Sequence, residues 1–187
     1  RPEDQPKRVF DITHPNTTYE FIVLCLDRRS GKTLWRRVAT KMIPHEGTHR
    51  DNNFASASPT TDGERLYCWF GSAGLFCYDL EGKKLWERNL GKVKIGASLG
   101  EGCSPVLHKG KLVVVRDNRG QSTIHVLNAK NGETIWMKNR NTRNGWSTPA
   151  VVEHEGKTQV ITTASRQKEG DRSNPGKVIS YDLENGN

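Results

Sequence analysis

Short apolar runs bounded by Gly, Pro, Asp and Asn recur along the whole chain, and each reads as a β-strand. They fall at 8–12, 21–26, 33–38, 58–60, 66–70, 75–78, 84–88, 104–107, 112–116, 123–127, 135–136, 148–152, 158–163 and 177–181. The runs are apolar on both faces, as expected of sheets packed against neighbours on either side. Polar segments separate them. Thr61-Asp62-Gly63 is a hairpin turn, the segments at 71–74 and 117–120 connect middle strands, and longer loops are predicted at 40–53 and 165–176.

One ten-residue pattern organises these strands. Cys77-Tyr78-Asp79-Leu80-Glu81-Gly82-Lys83-Lys84-Leu85-Trp86 is preceded by a related segment from Cys25 to Trp35 and followed by another from Val126 to Trp136. A fourth copy starts at Ser180 and stops at Asn187, before its Trp. Trp35, Trp86 and Trp136 are spaced by 51 and 50 residues, a fixed period of the length that marks propellers and solenoids. In each copy an acidic or amide residue (Asp27, Asp79, Asn128, Asp182) can accept main-chain N–H groups at a turn entry. A glycine (Gly31, Gly82, Gly132, Gly186) can take the left-handed conformation that closes it.

The strand count is three, four, four and three, so four portions are expected at 1–39, 55–90, 103–138 and 147–187, the first and last incomplete. The expected fold is all-β: about three to four four-stranded antiparallel propeller blades forming an open arc rather than a closed ring. Such an arc exposes blade faces, so further blades of the same or another chain are expected to cover them.

At these Asp/Asn, Gly and Trp positions the chain resembles the PQQ-like β-propeller repeat family, whose blade signature is close to A-x-D-x-x-T-G-x-x-x-W. The family includes BamB-like and quinoprotein-like propellers. Cys, Val or Ser stands for the leading Ala, Asn128 for Asp, and Ser30, Glu81 or Asn131 for Thr, and the second copy is one residue shorter. The resemblance implies that Trp35, Trp86 and Trp136 dock between adjacent blades. It also implies an extracytoplasmic, periplasmic setting and a binding or scaffold role. The alternatives it carries are part of a dehydrogenase using PQQ and calcium, or the sensor region of a larger protein.

Composition narrows this further. No apolar run approaches the roughly 18 residues that a membrane-spanning helix needs. The formal net charge of +8 raises the question of nucleic acid, but the Lys and Arg residues sit in turns or beside acids, as in Lys168-Glu169-Gly170-Asp171-Arg172, without a basic stripe interleaved with aromatics. Nucleic-acid binding is therefore not expected. The four cysteines lack zinc spacing. Cys25, Cys77 and Cys103 occupy positions held by small residues in other copies, whereas Cys68 and Cys77 face each other across a predicted hairpin and raise the question of a disulfide.

His45-Glu46-Gly47-Thr48-His49 satisfies the metalloprotease pattern HExxH, which requires both histidines on one helical face. Gly47 interrupts such a helix and no amphipathic run surrounds it, so a loop is expected, with His45, His49 and Asp51 as a weaker loop-borne ligand set and no metal assigned. Connections sharing one face of the propeller carry His49, Asn53, Arg116, Arg143, Asn144 and Trp146, along with Asn52, Asp117, Arg140 and Asn141. Arg and Asn with one aromatic suit an anionic or sugar-like ligand, or a protein, peptide or glycan partner. No adjacent Cys pair, carboxylate cluster, Ser/His/Asp arrangement or phosphate-cradling loop marks a catalytic centre. No catalytic residue is assigned and no cofactor is expected, PQQ with calcium requiring a site on blades outside this stretch.

Overall fold

The computed structural model describes residues 12–165 and 176–187. The strands among them are β1 (Ile12–Thr13), β2 (Tyr19–Leu26), β3 (Thr33–Met42), β4 (Thr48–His49), β5 (Thr60–Thr61), β6 (Arg65–Trp69), β7 (Leu75–Asp79), β8 (Lys84–Arg88), β9 (Val106–His108), β10 (Lys111–Arg116), β11 (Ser122–Asn128), β12 (Thr134–Arg140), β13 (Ala150–His154), β14 (Lys157–Ala164) and β15 (Lys177–Asp182). They form antiparallel sheets in sequential order: β2-β3, β5-β6-β7-β8, β9-β10-β11-β12 and β13-β14-β15. None of these sheets closes on itself, and the assembly is an open propeller arc.

The chain start differs from expectation. Ile12 and Thr13 pair with His49 and Thr48 rather than joining β2, so the first sheet has two strands among the described residues. The expected strand residues 8–11 lie outside the described residues. β3 also continues past Val38 to Met42, because Tyr19 and Glu20 of β2 pair with Met42 and Lys41. Glu20 adds ion pairs to Arg36 at 2.8 Å and Lys41 at 2.6 Å.

The core consists of three layers between successive sheets. Val23 and Ala39 meet Cys68, Phe76 and Tyr78; Tyr67, Leu75 and Cys77 meet Leu112, Val114 and Leu127; Val113, Val115 and Val126 meet Val160 and Leu183. Alternate residues of β10 therefore serve different layers, which explains its continuous Leu-Val-Val-Val run. Each fully buried side chain contributes about 1.5–3 kcal/mol. The same alternation resolves the cysteine question. Cys68 pairs across the hairpin with Phe76, whereas Cys77 pairs with Tyr67. The one-residue offset sends the two thiols to opposite faces and different layers, so no disulfide joins them.

The repeated turns lock these layers together. Gly82 N–H donates to the Asp79 carbonyl at 3.1 Å, and Gly132 and Gly186 make the equivalent bonds to Asn128 and Asp182 at 2.8 Å. Asn128 and Asp182 also accept main-chain N–H groups through Oδ1 at 2.8 Å. The indole Nε1 of Trp35 donates to Leu80 O at 2.8 Å, that of Trp86 to Ala129 O at 3.1 Å, and that of Trp136 to Leu183 O at 2.8 Å. Each acceptor is the residue just after the turn Asp or Asn of the next sheet. The tryptophans are half-buried rather than fully enclosed, lying over the turn at the sheet margin.

The turn glycine serves two purposes here. At Gly82 φ is +80°, and a Cβ would meet Trp35 Cδ2 at 2.7 Å; at Gly132 and Gly186 it would meet Trp86 and Trp136 at 2.8 and 2.9 Å. Gly31 has the same left-handed backbone, φ +71°, with nothing within 4 Å. Its flank is bare. Leu24 and Leu26 are 54% and 52% exposed, whereas Phe76 and Tyr78 at the equivalent positions of the next sheet are 4% and 1% exposed.

Gly31→Ala is expected to cost about 1–2 kcal/mol, the left-handed backbone penalty. Gly82→Ala is expected to cost roughly 1–3 kcal/mol more, because Trp35 must also shift. Urea unfolding of the two variants checks this, and equal losses would contradict the close-packing role of the glycine.

Candidate functional site

The connections between sheets, residues 43–59, 89–105 and 141–149, share one end of the arc with the middle-strand links at 70–74 and 117–121. Residues 89–105 contain few strand pairings of their own, and neighbouring connections hold them almost residue by residue. Arg116 donates to Leu90 O and, at 2.6 Å, to Gly91 O. His45 Nε2 donates to Val93 O at 2.7 Å, while Val93 N–H donates to Ser72 Oγ at 3.0 Å. Arg119 N–H donates to Lys94 O at 2.7 Å, and Ile95 N–H to Glu46 Oε2 at 2.9 Å. Asn52 Nδ2 reaches Leu99 O at 3.0 Å, and Trp146 Nε1 reaches Gly100 O at 2.8 Å. Ala97 and Ser98 adopt left-handed φ values of 55° and 52° within this span, and the surrounding bonds hold that strained backbone.

The residues expected to form a ligand ring are thus distributed differently. Arg116 is not displayed on the face: it is 8% exposed, its guanidinium lies over Trp69 at 5.9 Å, and burial lowers its pKa against the opposing effect of Glu101. Asn53 Oδ1 accepts Ala55 N–H at 2.7 Å, stabilising its own turn. His49 is half-buried, with Nδ1 accepting Asp51 N–H at 3.2 Å. Arg143 is half-buried, its N–H directed to Ser165 Oγ at 3.2 Å, and Asn144 places its Oδ1 in the interior with no hydrogen-bond partner among the described residues. Trp146 is 42% exposed although its N–H is engaged.

The HExxH pattern lies in a bend followed by the short strand β4, not in a helix. His45 turns to the Val93 carbonyl and His49 to Asp51, so the two rings do not converge as metalloprotease ligands do. Among the described residues, no group of three His, Cys, Asp or Glu side chains is arranged to hold a metal ion.

Arg140 and Asp117 form a buried pair. Arg140 Nε donates to Asp117 Oδ1 at 2.7 Å and Nη2 to Oδ2 at 3.0 Å; the remaining N–H groups reach Thr162 Oγ1, Tyr181 OH and Thr163 O at 2.7 to 2.9 Å. Burial opposes charge on both partners and pushes the Asp117 carboxyl above its ordinary range. For Arg140, burial is outweighed by the hydrogen bonds to Asp117 and the charge of its carboxylate, and the guanidinium is held protonated. The geometry is that of a bidentate ion pair. Held by Asp117 of its own sheet, Arg140 ties the third sheet to the fourth through Thr162, Thr163 and Tyr181, a role that residue type and position alone did not reveal.

A second missed set lies two residues after each Trp. Arg37 Nε donates to Gly82 O at 2.7 Å, Arg88 Nη1 to Gly132 O at 2.9 Å, and Lys138 Nζ to Asn187 Oδ1 at 3.1 Å. The signal was available as Trp-x-Arg or Trp-x-Lys in all three complete copies.

Between the ends of the first two sheets the connections enclose a solvent-open cleft of about 550 Å³. Aromatic residues Phe21, Phe54, Trp69 and Phe70 line it together with Glu46 and Glu101. Glu101 Oε1 accepts Ser72 N–H at 2.7 Å, and its carboxylate occupies the space that a Cβ on Gly71 would need, at 2.6 to 2.8 Å. The Glu46 carboxyl is raised, chiefly by burial and further by the Glu101 charge, against the Ile95 N–H bond and the positive charges of His45 and Lys94.

Stacked four-stranded sheets locked by a repeated Trp–turn contact define a β-propeller built from PQQ-like repeats. The chain belongs to the PQQ-like propeller family described as outer membrane protein assembly factor BamB, whose sequence profile matches residues 20–187. No curated protein sequence matches it significantly. Among solved structures, BamB from Moraxella catarrhalis is similar over 87% of this chain and 44% of that one, at 17% identity and a TM-score of 0.53. Quinohemoprotein alcohol dehydrogenase ADHIIG from Pseudomonas putida HK5 is similar over 95% of this chain and 32% of that one, at 11% identity and TM-score 0.60. The enzyme from Comamonas testosteroni is similar over 97% and 38%, at 11% identity and TM-score 0.59. This chain thus spans less than half the length of each, and the likeness is one of fold.

The described residues do not fit a calcium-bound quinone. Calcium requires six to eight convergent oxygen ligands, whereas Asp117 gives both carboxylate oxygens to Arg140, and Asn118 bonds to the main chain of its own turn.

Arg140→Leu is expected to destabilise the fold by roughly 3–5 kcal/mol through the stranded Asp117 charge, and Asp117→Leu in the same chain to recover part of that loss. Denaturant unfolding measures both; an unaltered midpoint in the single variant would contradict the role of the pair. A second test concerns His125 on β11. Its pKa is lowered from 6.5 to about 4, first by burial and then by the charges of Arg116 and Arg88. The unfolded chain therefore binds a proton that the folded one resists. The stability associated with the neutral ring is present above about pH 6.5 and is lost as pH falls toward 4. His125→Gln should flatten the dependence of the unfolding midpoint on pH across that window; an unchanged slope would contradict this.

Proposed function

We propose that the chain is part of a non-catalytic propeller in the periplasm, a binding or scaffold module whose loop face receives a protein, peptide or glycan partner. One observation carries the reading. Arginines expected as ligand-binding groups on that face are instead engaged in holding main chain or one another, as with Arg116 on Leu90 and Gly91 and Arg140 on Asp117. What they maintain is a preformed surface with a cleft in it, which favours recognition over chemistry. The family match to an outer membrane assembly factor supports both the role and the compartment.

The bare flank of the first sheet belongs to the same reading. Exposed Leu24 and Leu26 and the uncovered Gly31 suit a further blade whose outer-strand Trp would stand over that turn, as Trp35 stands over Gly82.

A photo-crosslinking amino acid placed at Asn53 or Arg143, on the loop face, is expected to give a discrete partner adduct in periplasmic extract. The same probe at Asn131, in a repeat turn, should not. Adducts equally abundant from both places would contradict a dedicated loop face. Incubation with PQQ and calcium should leave no quinone absorbance after desalting and no alcohol-dependent dye reduction. Stoichiometric retained quinone would instead favour the dehydrogenase reading.

A further inference from the structure

The cleft at the loop end specifies a ligand chemistry more narrowly than the loop face as a whole. Its walls are aromatic, and its carboxylates are fixed rather than mobile. Glu101 is tied through Oε1 to Ser72 N–H at 2.7 Å and Glu46 through Oε2 to Ile95 N–H at 2.9 Å. Anchoring one oxygen of a planar carboxylate fixes where the other points, so acceptor positions are set before a ligand arrives. The two acids stand out in a chain with 29 Lys and Arg against 21 Asp and Glu.

We propose that this cleft binds a basic side chain of a partner's peptide segment, an arginine or lysine whose aliphatic stem lies against Phe21, Phe54 and Phe70 and whose cationic head meets Glu46 and Glu101. The assignment rests on the binding-module reading and names its ligand.

Three features support it. A long basic side chain is amphipathic, as the cleft is: its methylenes suit aromatic walls and its head suits carboxylates. The cleft is open to solvent and so remains accessible to a side chain still attached to its main chain. Burial, and to a lesser degree the Glu101 charge, raise the Glu46 pKa; an incoming cation offsets the repulsion between the two carboxylates and favours their charged forms. Lys94 and Arg116 lie within electrostatic range and moderate the negative field, Arg116 with both Nη groups directed to the Leu90 and Gly91 carbonyls.

The test uses fluorescence anisotropy with a labelled Leu-Arg-Leu peptide and the same peptide carrying citrulline, which keeps the shape of arginine but not its charge. Saturable binding of the arginine peptide is expected, with a loss of roughly tenfold for the citrulline peptide and for each of Glu46→Gln and Glu101→Gln. Glu87→Gln, on the exposed outer strand, is expected to bind as the parent does. Thermal melts establish that each variant is folded, and Glu46→Gln decides the matter alone if Glu101→Gln unfolds. No binding of the arginine peptide at millimolar concentration overturns the proposal. Equal binding of the citrulline peptide, or indifference to the glutamine variants, overturns the cationic assignment while leaving the loop-face reading intact. Free arginine amide binding as tightly as the peptide overturns the peptide source. The crosslinking experiment reports separately on the loop-face reading.

Discussion

Everything in this arc depends on one recurring contact: an indole N–H reaching into the turn of the next sheet and ending on the carbonyl just after the turn Asp or Asn. The hydrogen bond itself contributes only about 1 kcal/mol. Its structural effect is larger, because an aromatic ring, a left-handed turn and a cation two residues further along are fixed by the same approach. Trp86, for example, stands over Gly132, donates to Ala129, and carries Arg88 to the Gly132 carbonyl. A Cβ at the glycine would move the ring, and moving the ring would break the register between sheets. The repeat in sequence is thus the trace of a repeated interface rather than of a repeated surface.

The sheets locked in this way are thin, and their mutual order places a long connection across one end. Residues 89–105 make few bonds to themselves, so their conformation is set by side chains from elsewhere: His45 and Glu46 from one connection, Ser72 from a middle link, Arg116 from the end of β10, and Trp146 from the third connection. Buried main-chain carbonyls need donors, and long polar side chains supply them here. The cost is chemical versatility, since a guanidinium directed at two carbonyls is not free to activate a substrate. The gain is a rigid rim around the cleft between the first two sheets.

The end flanks follow from the same geometry. Interior sheets bury both faces of their middle strands β6, β7, β10 and β11, which are rich in apolar residues, while their outer strands β8 and β12 are largely polar and exposed. β2 of the first sheet is similarly apolar, but among the described residues it has a neighbour on one face alone, and Leu24 and Leu26 are exposed where Phe76 and Tyr78 are enclosed. Sequence composition does not distinguish these cases, because an apolar strand reads alike whether the fold encloses a given face or leaves it in solvent.

The sequence by itself determined the architecture: the Trp spacing, the turn Asp and Gly, and the two-sided apolar strands are local signals that repeat, and repetition makes them readable. It also placed His45 to His49 off a helix, since Gly47 and the absence of an amphipathic run are local facts. Tertiary structure alone decided what the polar residues do. Arg116, Arg140 and Trp146 look alike as loop-face candidates, yet one caps buried carbonyls, one pairs with Asp117 of its own sheet and reaches Thr162 and Tyr181 of the next, and one is partly exposed with its N–H on Gly100. Glu46 and Glu101, 55 positions apart in the chain, drew no attention as a pair until the fold set them in one cleft. Strand pairing likewise decided that Cys68 and Cys77 face opposite layers. The physical reason is range: turns and strand faces are set within a few residues, whereas the partner of a buried charge is set by whichever distant segment the fold brings beside it.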